Sequence, residues 1–413
     1  MNNLFLDSTW FGMKSTYYLK NQLAIAGNFN MDVNKEFKQE FPVGATVYLK
    51  KPQRFIPGTG LAFTPQSINR ISVPVTLREP FHVHFDWDSY EKAVLMERGE
   101  EALDREYFKP AMAALAQQID SYAAEFAYQN TNNITGVLGT DPTTYDATSA
   151  AARQSLAELS GAQENDDRAI FLPPSIMRAV KGANIALFNP VSDISKQMRT
   201  GIVGYADSFD WYESMSLYRH TAGTWAGAVT LATTSVTGDS SLALTCTSGD
   251  TFLQGDVLAV AASNYVNVNT RRAPNTVLKR FVVTQSVTAT STAATVPISP
   301  TIYGPGSQYQ NVDALPVAGA ALTLFPGTTS PNGLVGVQGL AFTRNAFALV
   351  SLPLEMPTKA EFAAQERDPE TGLSVRFTKT WDAVLSRMII RFDALIGFGA
   401  LYPDECAVRI LGA

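Results

Sequence analysis

The large apolar residues Phe108, Met112, Leu115, Ile119, Tyr122 and Phe126 follow one another at steps of four, three, four, three and four. That spacing puts all six on one stripe of an α-helix. Small alanines fill much of the rest and charge is sparse after Lys109, so residues 104–130 predict a long buried rod. From Pro110 onward it is roughly 30 Å long at about 1.5 Å per residue. Proline fits only the first helical turn, so either the rod begins near Phe108 or, the favoured arrangement, an earlier turn over Glu100–Glu106 meets it at a bend.

Elsewhere the period changes. Within residues 41–88, ATVYLKKPQRF, SVPVTLREP and FHVHFDWD read as strands around the Gly/Pro-rich loop FIPGTGLAFTPQS. In residues 1–40, Ser8 opens a short helix with Trp10, Met13 and Tyr17 on one side, followed by Leu23 and Ile25 and ending near Gly27. A helix so short needs packing from outside itself, either its own subunit or a neighbour. Residues 131–220 alternate helices with short strands, and AIFL running into Pro173-Pro174 predicts a strand-to-helix turn in an α/β lobe. Residues 221–335 hold eight charged residues in 115 and are dominated by Thr, Ser, Ala and Val. SLALTCT, DVLAVAA, TVLKRFVVTQ and ATVPI are its strand candidates, and regular turns between them predict an inserted all-β barrel or sandwich. GLVGVQGLAFTRNAFALVSLP then predicts a long strand pair, and the remainder of 336–413 closes the chain as strands. Residues 89–130, between loop and lobe, carry the rod. The class is α+β.

Composition adds two points. Hydrophobic residues make up 46% and charged ones 17% of the 413, an ordered chain of two or three domains with more apolar surface than one soluble monomer usually keeps. A net charge of −6 argues against gripping nucleic acid by its phosphates. Cys246 and Cys406 make no framework, which fits a reducing compartment. No basic leader and no apolar run of membrane-spanning length (about 18 residues) is present, so the expectation is a soluble, cytoplasmic chain with no membrane partner.

Candidate chemistry is thin. His82, His84, Asp86 and Asp88 share one face of a strand and offer metal-ligand types, so a metal-dependent hydrolase is one reading. The other has Phe81, Val83, Phe85 and Trp87 inward and the polar set outward. Same-face neighbours stand about 6.6 Å apart, so only adjacent pairs share one ion. His82, His84 and His220 are the only histidines and no G-x-S-x-G elbow accompanies them. Gly58-Thr59-Gly60 is too short for a phosphate loop. Three charge clusters read as solvated faces or as intersubunit contacts: Lys50, Lys51 and Arg54; Glu97, Glu100 and Glu101; and Arg271, Arg272, Lys279 and Arg280, expected on an exposed barrel face.

The order of parts resembles the major capsid protein of tailed bacteriophages, the Hong Kong ninety-seven type fold. Within it, the chain looks like the coat proteins of the short-tailed Salmonella phage type, whose mark is an inserted domain. LKNQLAIAGNFNMDVNKEF, GATVYLKKP, SVPVTLREPFHVHFD, DREYFKPAMAALAQQID, YQNVDALPVAGAALTLF and RFDALIGFGALYPDECAVRI carry the resemblance. It implies an N-arm over 1–40, an E-loop with flanking strands over 41–88 and a spine helix and peripheral domain over 89–130. It further implies an axial lobe over 131–220, an inserted barrel over 221–335 and return strands of both domains over 336–413. It implies no enzyme activity and no cofactor. The partners would be copies of itself in hexamers and pentamers, a scaffolding protein, a portal protein and packaged double-stranded DNA, held without tight binding. Such a chain would assemble in the host bacterial cytoplasm and end in the virion capsid. Intersubunit contact falls to Trp10, Tyr17, Lys50, Lys51, Arg54, Glu97, Glu100, Glu101, Arg271 and Arg272. Another phage structural protein, of tail or surface layer, is the remaining alternative. Some relatives cross-link a loop lysine to an asparagine of a neighbour; Lys50 or Lys51 would supply the amine, and Asn345 is the one asparagine after residue 336.

Overall fold

The computed structural model describes residues 8–32, 46–51, 54–56, 65–68, 72–77, 80–88, 104–160, 167–184, 204–267, 270–273, 277–325, 333–358, 360, 362–384 and 387–412. The chain divides into one unit of residues 1–50, 72–123 and 347–400, and a second of 51–71, 124–346 and 401–413.

The first unit is organised on the strand Arg387–Ala400. Met388, Ile390, Phe392, Ala394, Ile396 and Phe398 are all buried, an unbroken period-two face that suits an extended chain against a core. Residues 387–394 pair antiparallel with Phe81–Asp88 on one side, and Ser374–Asp382 pairs along residues 387–393 on the other. Residues 395–400 pair with Phe347–Leu352, and Thr76 and Leu77 join at Phe398 and Gly397. Thr46–Lys50 and Phe362–Arg367 extend the two ends of this seven-stranded sheet. At Gly399 an added Cβ would stand 2.5 Å from the side chain of Val75, so the strands approach as closely as they do only because no side chain is there.

The predicted rod is the α-helix Lys109–Asn130. The turn before it is described from Asp104, where it is a single π-helical turn, Asp104–Phe108. A wide turn at this point places Pro110 second in the α-helix, where its missing N–H costs nothing. Phe108, Met112, Leu115 and Ile119 are buried as predicted. Phe108 meets Phe392 edge-on at 5.5 Å and Phe85 at 6.1 Å, and Tyr122 meets Phe81 at 5.1 Å. In the last two turns the expectation fails in part. Tyr122 and Phe126 are half-buried, while Ala123, Ala124, Ala127 and Tyr128 are buried instead. Small side chains let neighbouring backbone come close, so the alanine side of the helix takes over the core.

In the second unit the sheet order is Ile134–Gly136, Ala407–Leu411, Val335–Thr343, Arg168–Leu172, Phe209–Glu213 and Tyr205–Ala206. The strand Arg168–Leu172 is buried throughout and passes through Pro173 into the helix Pro174–Asn184; Pro174 takes the first helical position, where its fixed φ is already helical. That helix and Ala151–Ser160 bring Ile176, Met177, Val180, Ala152 and Leu156 onto Ile170, Leu172, Trp211 and Ile410. The long strand pair expected after residue 334 does not form. Val335–Thr343 pairs with Ala407–Leu411 and Arg168–Leu172, whereas Phe347–Leu352 pairs with residues 395–400 in the other unit's sheet. Arg344–Ala346 is a 3₁₀ turn and not a two-residue hairpin, so the second strand does not fold back on the first.

The all-β excursion starts and ends at one place: Arg219–Thr221 pairs antiparallel with Val335–Val337, Thr221 opposite Val335. Between them six antiparallel strands run in the order Leu322–Phe325, Val257–Asn264, Leu278–Val283, Ala293–Ser299, Ser241–Thr245, Thr230–Leu231. The last returns to the first, since the Leu231 amide donates to Ala320 O (2.9 Å) and that of Leu322 to Val229 O (2.9 Å). The sheet is therefore a closed barrel with no free edge. Trp225, Leu242, Leu244, Phe252, Leu258, Phe281, Val296, Ile298 and Leu324 fill it. With so few charges, nearly every inward position is free to be apolar.

Candidate functional site

The arm helix Ser8–Gln22 packs on Phe362–Arg367 and Ser374–Asp382 with the face opposite to the one that carries Met13 and Tyr17. Ser15, Thr16 and Leu19 are buried, whereas Met13 and Tyr17 are 58% and 62% exposed. The reason is physical: on so short a helix two small polar residues and one leucine can meet a sheet closely, and the larger side chains are left facing out. Trp10 belongs to the same helix, but its side chain lies outside the described residues. Lys20 fixes the helix to the sheet's hairpin, pairing with Asp368 (3.5 Å) and more tightly with Glu370. The chain after the helix is sewn into the core. The Phe29 ring meets that of Phe347 in a tilted contact at 5.1 Å, and the Asn30 amide donates a 2.9 Å backbone hydrogen bond to Phe347 O. Asp120, on the buried side of the long helix, accepts the amides of Ala24 (2.8 Å) and Ala26 (2.9 Å). Burial lifts its carboxyl above the ordinary value, and the amides of Ala26, Ala24 and Ile25 offset this only in part. Sequence reasoning passed over Asp120. Its signal is the four-residue step Met112, Ala116, Asp120, which puts a charge on an otherwise apolar face.

In the second unit, residues at the root of the predicted loop are held by the helical turn Pro403–Cys406. Arg54 pairs with Glu405, and the Lys51 ammonium lies over the Tyr402 ring at 4.9 Å. Burial draws the Lys51 amine below its ordinary value, with Glu405 opposing and Arg54 reinforcing the shift. Gln66 bridges the two legs of the loop, accepting the Ile56 amide at 2.8 Å and donating to Ile56 O at 2.6 Å. Asp404 binds Lys279 of the barrel and accepts Asn132 Nδ2 at 2.7 Å. Lys279 is fully buried, its ammonium 4.5 Å from the Tyr265 ring centre. The exposed barrel face expected of the basic cluster is thus corrected. Lys279 points inward, Arg280 is half-buried with its guanidinium over Phe325, and Arg271 donates to Ser307 O (3.2 Å) and Gln308 O (2.6 Å). Arg272 alone of the four is exposed. The lysine at 279 sits inward in a period-two strand, and Asp404, 125 residues away, supplies the charge that lets it stay there.

The His82/His84 face is outward, as the half-buried-strand reading has it. The two rings stack at 5.7 Å, and Asp86 gives its carboxylate to Arg387. Asp88's side chain lies outside the described residues, and among those described no group of His, Cys, Asp and Glu is placed to hold a metal ion. His220 is buried, with Nε2 2.8 Å from Asp256 Oδ1. The same carboxylate accepts the Leu253 amide at 2.7 Å, and Tyr128 stacks on Tyr218 at 4.2 Å alongside. This is a structural junction of helix end, barrel and sheet. Glu97, Glu100 and Glu101, the tip Gly58–Gly60 and the Lys50 side chain lie outside the described residues. Among described residues no helix is long and apolar enough to cross a membrane.

Among the described residues this arrangement offers an outward apolar arm face, a hairpin tip with Trp381 and Val384 exposed, and a loop root braced by an ion pair and a cation–π contact. No curated protein matches the chain. Among solved structures it is similar to "Mycobacterium phage Che8" at 13% identity, covering 95% of this chain and 93% of that one with a TM-score of 0.46. It is similar to "Capsid structure of the Cyanophage P-SCSP1u" at 12% identity over 90% and 85% of the two chains, TM-score 0.40. For "Asymmetric unit of bacteriophage PhiM1 mature capsid" the identity is 9% over 90% and 82%, TM-score 0.40. The sequence profile described as "P22 coat protein - gene protein 5" matches residues 66–412. With a match over that much of its length, the chain belongs to the P22 coat protein family and is a phage major capsid protein of the Hong Kong ninety-seven type.

Proposed function

We propose that copies of this chain associate as hexamers and pentamers into an icosahedral shell around double-stranded DNA. Residues 1–40 serve as the arm, 41–88 as the loop reaching neighbours and 89–130 as the spine and peripheral domain. Residues 131–220 and 336–413 build the axial lobe and the return strands, and 221–335 form the inserted barrel. The observation that carries this reading is the outward Met13/Tyr17 face of a helix whose other side is already packed. Exposed apolar side chains of that size on an ordered helix are stabilised by covering them, and in a shell the available cover is another copy. Trp10, Lys50, Glu97, Glu100, Glu101 and Arg272 are assigned to the same intersubunit contacts. Lys51 and Arg54 reach them through the loop they brace, and Arg271 through the turn it holds. A scaffolding protein during assembly and a portal at one vertex complete the partners, and assembly takes place in the host cytoplasm. The net charge of −6 leaves packaged DNA unheld, which suits a genome that must leave. The chain acts by self-association and uses no cofactor. Electron microscopy of the chain expressed with and without a scaffold tests the reading: closed icosahedral particles are expected, and tubes, sheets or monomers alone would contradict it.

A further inference from the structure

One cavity in the second unit is chemically lopsided. It is a cavity of about 200 Å³, partly open to solvent, between the helix Ala151–Ser160, the strand Ile134–Gly136 and the barrel strand Leu278–Val283. Arg280 forms part of its wall, and Ser155, Gln154, Thr135, Glu158, Asn133 and Tyr265 are the other polar side chains about it. The guanidinium is positioned by Nη1, which donates to Ile134 O, and by the Phe325 ring at 4.7 Å. Its Nε–H is shut away from solvent with no acceptor, and among the described residues no carboxylate pairs with it. Burial draws Arg280 down to about 10, and nothing offsets that shift. A half-buried cation with no ion-paired carboxylate is an expense to the fold, and an anion entering beside it recovers part of the loss.

Glu158 sets the second condition. Its carboxylate accepts Gln154 Nε2 at 2.9 Å, its backbone carbonyl accepts Asn267 Nδ2 at 2.7 Å, and it would repel any anion that cannot donate a hydrogen bond to it. Monohydrogen phosphate can donate one and sulfate cannot. We propose that this cavity is a phosphate site in which Arg280 supplies the counter-charge and Glu158 selects an oxyanion that carries a proton.

Titration calorimetry of the purified full-length chain with inorganic phosphate, and in parallel with sulfate at matched ionic strength, tests this. One saturable phosphate per chain is expected, with sulfate weaker by about tenfold, the usual worth of one charged hydrogen bond. Arg280→Met should abolish phosphate binding, and Glu158→Gln should bring sulfate up to the level of phosphate. If Arg280→Met fails to fold, Ser155→Leu, which fills the cavity from the helix, should block binding on its own. Absence of saturable phosphate binding, equal binding of the two anions, or binding untouched by Arg280→Met or Ser155→Leu would overturn the proposal.

Discussion

At the scale of single residues, three buried charges decide how the polar chemistry is spent. Asp120 holds the amides of Ala24 and Ala26 where the arm turns into the core. Asp120→Ala leaves both amides without an acceptor and should cost about 2 kcal/mol, read as a lower denaturation midpoint. Its pH dependence has a definite sign. Burial raises the carboxyl above its unfolded value, so its contribution to stability is fully present below the ordinary carboxylate range and is lost as pH rises through the raised value. Above about pH 4, Asp120→Asn should therefore remove a downward slope from the stability curve. An unchanged slope in the variant would refute the assignment. Lys279 and Asp404 form the second case. Lys279→Met keeps the volume but strands Asp404 with Asn132 as its remaining partner and should cost roughly 3 kcal/mol, whereas Lys279→Met combined with Asp404→Asn, which leaves no stranded charge, should cost much less. Equal losses in thermal unfolding would show that the pair is not what holds the barrel strand there. Neither case is visible in the sequence, because the partners stand 96 and 125 positions apart. Only the placement of Asp120 on an apolar helical face hints that something must be there.

Among elements, the ones with strong periodicity are the ones the sequence discloses. The stripe Phe108, Met112, Leu115, Ile119 predicts the long helix, and SLALTCT, DVLAVAA, TVLKRFVVTQ and ATVPI predict four of the barrel's strands. Phe281→Ala, in the middle of that core, should cost about 4 kcal/mol and be seen as early loss of barrel amide protection in hydrogen exchange. Loss spread evenly over both units would contradict the barrel's having its own core. What periodicity does not disclose are the short closing strand Thr230–Leu231, whose role is a register contact with Ala320–Leu322, and the parting of Val335–Thr343 from Phe347–Leu352. Two apolar strands in sequence resemble a hairpin. Which sheets they join depends on the 3₁₀ turn between them and on partners supplied by the last 27 residues. Which side of the arm helix packs on its own subunit is likewise not legible from periodicity. Large apolar residues on a helix usually mark its buried side, but here Leu19 with Ser15 and Thr16 does the packing and Met13 and Tyr17 face out.

For the whole molecule, the exposed Met13 and Tyr17 face gives the account its content. A family of shell proteins must leave on each copy some apolar surface that only another copy covers, and the arm's outward face is the clearest such surface here. The exposed Trp381 and Val384 at the hairpin tip are of the same kind. Introducing charge at Met13→Asp and Tyr17→Asp should leave the subunit's own unfolding within about 0.5 kcal/mol, as for ordinary surface changes, while closed particles are lost from sucrose gradients. The most direct measurement is hydroxyl-radical footprinting of Met13 and Tyr17 in assembled particles against dissociated subunits. The account predicts that oxidation of both side chains falls several-fold on assembly while that of the exposed Met215 in the other unit is unchanged. Equal oxidation of Met13 and Tyr17 in particles and free subunits would contradict it.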